Sequence, residues 1–135
     1  MMEVLNESGA DVKEEVFKAL ERVLEWEGKE MEVSVALVDE ERMRELNERY
    51  RRSEGATDVL TFVYEEGSGE VVICPQVVER YAKEEGMSFE ERMLLTVVHA
   101  ALHLCGYDHE FSEEKAEEMF RKQGEYFDRL REELL

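Results

Sequence analysis

The sequence predicts a mixed-sheet α/β or α+β domain, with three or four strands and helices on the faces of the sheet. Three observations carry this. The chain has 135 residues, enough for one core of ordinary size and too few for two, so residues 1–135 read as a single domain. Its apolar periodicity switches repeatedly between the strand and helix repeats, in the order β-α-β-α-β-β-α-α-α. No internal repeat, low-complexity stretch or linker interrupts that order.

Met2 to Leu5 fits a short first strand. Asp11 to about Glu27 reads as a helix, because Asp11 and Glu14 have capping-box spacing and Val12, Val16, Leu20, Val23 and Leu24 form one apolar stripe. Met31 to Val38 alternates and then becomes continuously apolar, as a strand does when it enters a core. Asp39 can cap a helix to about Arg51, with Met43, Leu46 and Tyr50 inward. Thr57 to Tyr64 is β-branched and aromatic, the loop Glu65 to Gly69 follows, and Glu70 to Cys74 completes a hairpin. Pro75 opens a helix that Gly86 ends. Ser88 and Glu91 form a second capping box, before a helix with Met93, Leu94, Val97, Val98, Ala101 and Leu102 on its apolar side and Gly106 as its stop. Ser112 caps a last helix to about Leu134, with Ala116, Met119, Phe120, Phe127 and Leu130 inward.

The composition excludes several classes. Hydrophobic residues make up 43% and charged residues 39%, and the formal charge is −18. An average chain carries about 25% charged residues. So acidic a surface repels phosphate backbones on average, which argues against a general nucleic-acid coat protein. No apolar run approaches the roughly 18 residues of a membrane span, and Met1 to Glu7 lacks the pattern of a secretory signal. Cys74 and Cys105 are too few and too far apart for a disulfide framework, so a reduced, cytoplasmic setting is expected. A single proline, few Asn and Gln, and abundant Glu, Lys and Arg suit a thermophile.

The three histidines of the chain all fall between His99 and His109, in the order His99-Ala-Ala-Leu-His103-Leu-Cys-Gly-Tyr-Asp-His109. His99 and His103 share one helix face, with Cβ atoms about 5–6 Å apart, so both imidazoles can reach one metal. Gly106 ends the helix, and His109 can return after the turn as a third ligand. Three protein ligands leave a position for water or substrate, the arrangement of a catalytic metal site. The H-x3-H-x5-H spacing with its glycine matches the metzincin protease pattern, but Ala100 stands where those proteases carry their glutamate base. Alanine accepts no proton, so a base must come from elsewhere. Asp108 and Glu110 are close in sequence and read more readily as support for the ligands. Cys105 reads as a small packed side chain, with a fourth metal ligand as the alternative.

Arg42, Arg44, Arg49, Arg51 and Arg52 stand against only Glu45 and Glu48, a local charge of +3 in an acidic chain. One reading is a solvated helix face. The other is a phosphate site in which Arg51 and Arg52, near the helix end, offer fork geometry to phosphate oxygens. An activated water beside such an arginine would make a phosphodiester hydrolase.

The window His99 to His109 resembles the HGxLHLxGYDH signature of the YbeY family of metal-dependent endoribonucleases. Leu46-Asn47-Glu48-Arg49-Tyr50-Arg51 with Ala56-Thr57-Asp58-Val59-Leu60-Thr61-Phe62 is similar to the family's LNxxYR…PTDVLSF segment, and Gly69-Glu70-Val71-Val72-Ile73-Cys74 to its GDIVIC strand. The resemblance implies an α+β fold with a small mixed four-stranded sheet. It implies metal ligation by His99, His103 and His109, usually of zinc, and a functional role for Arg51. It further implies cleavage of single-stranded RNA in maturation of the small-subunit ribosomal RNA 3′ end, a part in ribosome quality control, and association with ribosomal proteins or a ribosome-assembly GTPase. Ala100 replaces the family's usual glycine, Ala56 its proline and Thr61 its serine, and none of these removes a ligand. Nickel, copper and cobalt accept the same ligands as zinc. Two further readings stay open: a metalloprotease-like hydrolase, and a non-catalytic assembly factor with a structural metal whose acidic surface docks on basic proteins.

Overall fold

Alternation of apolar side chains along Val33 to Leu37 and Val71 to Ile73 gives the sheet two faces to bury, and helices cover both. The computed structural model describes residues 2–51, 55–65, 67–107 and 112–135. Strands β1 (Met2–Asn6), β2 (Glu32–Leu37), β3 (Val59–Tyr64) and β4 (Ser68–Ile73) form one sheet in the order β1-β2-β4-β3. β1, β2 and β4 run parallel, with Val35 opposite Val4 on one side and Val71 on the other. β3 is an antiparallel edge strand, with Thr61 opposite Val71. The sheet is therefore mixed and the fold α+β, as expected.

A 3-10 turn (Glu14–Phe17) leads into α1 (Lys18–Trp26), followed by α2 (Glu40–Tyr50), α3 (Pro75–Glu85), α4 (Phe89–Leu104) and α5 (Glu113–Leu134). Their starts follow the sequence signals. Asp39 accepts from Arg42 N at 2.8 Å, the Ser88–Glu91 box closes in both directions at 3.1 Å, and Ser112 accepts from Lys115 N at 3.2 Å. The expected helix start at Asp11 does not form. Asn6 and Ser8 side chains bond the backbone groups of Ser8 and Ala10, and the first helical turn begins only at Glu14, after Lys13, which makes no side-chain cap.

α4 is the centre of the molecule. Met93, Leu94, Val97, Val98, Ala101 and Leu102 are fully buried, against α1, α5 and the Val33–Val35–Val71–Ile73 face of the sheet. A smaller cluster of Met43, Leu60, Val72, Cys74 and Val77 joins α2 and the start of α3 to the opposite face. Gly69 allows the end of α4 to lie directly on β4, since a Cβ there would stand 2.5 Å from Leu104 Cδ2 and 3.1 Å from Phe62 O. Two residues expected inward are not. Tyr50 is 57% exposed and Phe120 is 51% exposed, because each flanks a cleft between the β3 edge and α4.

Candidate metal centre

His99 and His103 stand one turn apart on α4, and the burial of that helix fixes where they point. Their rings are edge to face, and their Nε2 atoms are 3.0 Å apart. His103 Nδ1 lies 3.0 Å from the Tyr107 carbonyl, an obligate acceptor, so that nitrogen carries the proton and donates. His99 Nδ1 lies 2.6 Å from Gln123 Oε1 on α5 and donates in the same sense. Both rings then leave Nε2 unprotonated, with the two Nε2 atoms 3.0 Å apart. Two lone pairs at this distance repel each other unless positive charge lies against them. An Nδ1–H bonded to an oxygen acceptor is also how metal-binding histidines are usually oriented. The residues thus fit a divalent metal with imidazole ligands.

The Tyr107 carbonyl arrives by a regular helix ending. Tyr107 N donates to Leu102 O and Gly106 N to His103 O, both at 3.0 Å, with Gly106 at φ +96°. Among the described residues no group of three His, Cys, Asp or Glu side chains gathers as a metal cage. The expected third ligand, His109, lies outside the described residues, as do Asp108, Glu110 and Arg52. Cys105 packs against the core. Burial, reinforced by the Glu27 charge, pushes its thiol up to about 11, which keeps it protonated near neutrality. Ala100 is fully buried, so its position offers the cleft no substitute for the protease glutamate.

The cleft beside the histidines has a volume of about 850 Å³. The histidines, Tyr107, Phe120 and Gln123 line one side. Thr57 to Val63 line the sheet edge, and Tyr50 and Arg51 stand at the end of α2. Arg51 thus shares a cleft with the histidine pair. It is the C-cap of α2, held by its own N–H to Asn47 O at 3.0 Å, while Asn47 Nδ2 ties the helix end to Gly55 O at 2.8 Å. The arginine cluster as a whole is not one patch. Arg42 pairs with Glu45 on the exposed helix face, and Arg51 is the member among the described residues that lines the cleft. A second arginine, Arg92, lines it from α4 but is compensated. It donates to Glu85 at 2.6 Å and to Thr96 at 2.6 Å, and Thr96 donates on to Asp58 at 3.2 Å.

Gln123 and Asn47 carry geometry that motif spacing does not reveal. A signal was present for Gln123: it is a polar residue on the inward stripe of Met119, Phe127 and Leu130. Asn47 is 4% exposed on a helix whose other polar side chains face solvent.

Comparison with known proteins agrees with this geometry. Residues 3–131 match the family model described as Endoribonuclease YbeY. A relative named endoribonuclease YbeY from Thermotoga petrophila is 41% identical, over 96% of this chain and 89% of its own length. One of that name from Renibacterium salmoninarum is also 41% identical, over 92% of this chain and 88% of its own length. The solution structure of TM1509 from Thermotoga maritima superposes with a TM-score of 0.71 at 40% identity, covering 95% of this chain and 87% of that one. With the histidine helix, the arginine at the α2 end and the mixed sheet in place, the match over nearly the whole length means that the chain belongs to the endoribonuclease YbeY family.

Proposed function

We propose that this chain is a metal-dependent endoribonuclease that cuts single-stranded RNA, with ribosomal RNA precursors, at the small-subunit 3′ end, as its substrate. The observation that carries the reading is the shared cleft of Arg51, His99 and His103. His99, His103 and His109 hold the metal, zinc by preference, within a single domain. When bound, the metal supplies a Lewis acid and an activated water. Arg51 receives the scissile phosphate with its fork of N–H donors and stabilises charge developing on the phosphate oxygens. Gln123 and the Tyr107 carbonyl fix the tautomer of the imidazoles and aim their Nε2 atoms. Tyr50 and Phe120 border the cleft with rings on which unpaired bases stack, which favours single strands over duplex. The acidic remainder of the surface suits basic ribosomal proteins and a part in ribosome quality control in the cytoplasm.

The test is incubation of metal-loaded protein with single-stranded and duplex fragments of ribosomal RNA precursor. Cleavage of the single strand, and its loss in His103→Ala with the fold retained by circular dichroism, is the expected result. Equal activity of wild type and His103→Ala, or no cleavage by either, would sink the nuclease reading. Metal-dependent cleavage of a peptide library in its place would favour a protease despite Ala100.

A further inference from the structure

The end of α1 carries a charge that local rules disfavour. Glu27 is the C-cap of the helix, followed by Gly28 at φ +69°, and Lys29 N donates to Leu24 O at 2.8 Å while Gly28 N donates to Glu25 O at 3.0 Å. A carboxylate at a helix C-terminus faces the negative end of the backbone dipole. The Glu27 side chain is moreover only 9% exposed. Such a residue requires compensation, and it receives three donors. Tyr107 Oη donates at 2.8 Å, Lys122 Nζ at 2.8 Å, and Tyr126 Oη donates as well.

The identity of these donors gives the cluster its meaning. Tyr107 is the residue whose carbonyl holds His103 Nδ1. Lys122 directly precedes Gln123, whose side chain holds His99 Nδ1. Two separate elements, the turn after α4 and the middle of α5, each aim one imidazole, and both are tied to the same carboxylate.

We infer that Glu27 is a positioning residue for the metal centre: its carboxylate clamps the Tyr107 turn to α5 and so holds both supporting acceptors of His99 and His103 in register. This rests on the metal-site reading above. Glu27 touches neither metal ligand and acts through Tyr107, Lys122 and, by chain continuity, Gln123. Partners that orient metal-bound histidines typically change metal affinity by about 10–100-fold when removed.

The experiment measures zinc affinity of the full metal-free chain by competition with a chromophoric chelator at 25 °C. Alongside it, circular dichroism and thermal melts follow the metal-free fold. Glu27→Gln keeps the size of the side chain and removes its charge. It is expected to weaken zinc by up to about 10-fold, the low end of that range because it acts through Tyr107 and α5, with an unchanged spectrum. Tyr107→Phe removes only one donor and leaves the carbonyl, so it is expected to weaken zinc less. Its effect should be less than additive with that of Glu27→Gln. A Glu27→Gln protein that melts lower but binds zinc as tightly as wild type would make Glu27 merely structural and overturn the inference. Should Glu27→Gln fail to fold, Tyr107→Phe decides: wild-type zinc affinity in that variant overturns the inference, and weakened affinity supports it. A wild-type chain that takes up no zinc overturns the metal-site reading and this inference together. Tight zinc in wild type and Glu27→Gln alike removes this inference alone.

Discussion

The two walls of the cleft are built to different standards. The histidine wall belongs to a helix buried on nearly every side, and His99 and His103 are each aimed by a separate acceptor from a different element. The arginine wall is the C-terminal end of a surface helix, where Arg51 is exposed and its helix end is tied down by Asn47. The contrast matches the tasks that the proposed function gives the two walls. A metal tolerates little error in ligand position, so its ligands stand on rigid elements with their rotamers held. A flexible RNA strand is better met by a long charged side chain that can follow the phosphate, since Arg gains from geometry only once its partner arrives.

If the contrast holds, the largest effect comes from the histidine wall. His109→Ala, like His103→Ala, is expected to reduce RNA cleavage to background while the melting temperature of the metal-free chain changes little. A large fall in that temperature, with no metal-dependent activity to lose, would make the metal structural instead. Next comes the arginine wall. Arg51→Ala is expected to lower kcat/KM for single-stranded RNA by roughly 100-fold, the scale of one lost charge-stabilising donor, with zinc affinity unchanged. Arg51→Lys should recover only part of this, because a point charge does not replace the fork. Weakened zinc binding in either variant would mean that the walls are not separate.

The support under the histidine wall is a third target. Gly69→Ala places a methyl into Leu104 at the end of α4, where the Phe62 carbonyl also closes the space. Overpacking of this kind costs about 1–3 kcal/mol, readable as a lower denaturation midpoint in urea.

The smallest expected effect is a pH dependence at Glu27. Burial by itself pushes that carboxyl up, but hydrogen bonds from Lys122, Tyr126 and Tyr107 together outweigh it and hold it below its ordinary value near 4.5. A folded value below the unfolded one means that the clamp stabilises fully above about pH 4.5 and loses that contribution as pH falls through the depressed value. The stability difference between wild type and Glu27→Gln should therefore shrink on acidification below about pH 4.5. A difference independent of pH in urea titrations from pH 7 to 3 would contradict the clamp.

How far each wall was legible follows the same division. The capping residues Asp39, Ser88 and Ser112, the stop at Gly106 and the i, i+4 histidines are local patterns, and each appears in the fold where the sequence placed it. Tyr50 and Phe120 misled because periodicity reports which helix face is apolar, not whether a partner covers it. Both lie along a cleft, where an aromatic ring can be in period and still meet solvent. Asp11 misled because capping-box spacing is a local signal that does not by itself make a helix; the first regular turn starts later, at Glu14, after an uncapped Lys13.

By itself, the sequence determined the element order, a mixed-sheet α/β or α+β class, the histidine face of α4 and, through three motifs, the family and its α+β fold. These depend on spacing along the chain, and spacing is what a sequence records. Only the tertiary structure decided that Arg51 lines the same cleft as the histidines, that Gln123 and the Tyr107 carbonyl aim the rings, and that Glu27 ties both supports together. Glu27 and Tyr107 are 80 residues apart, and so long a separation leaves no periodic trace. Their meeting is set by the packing of α1, α4 and α5 around one core, which no local pattern contains.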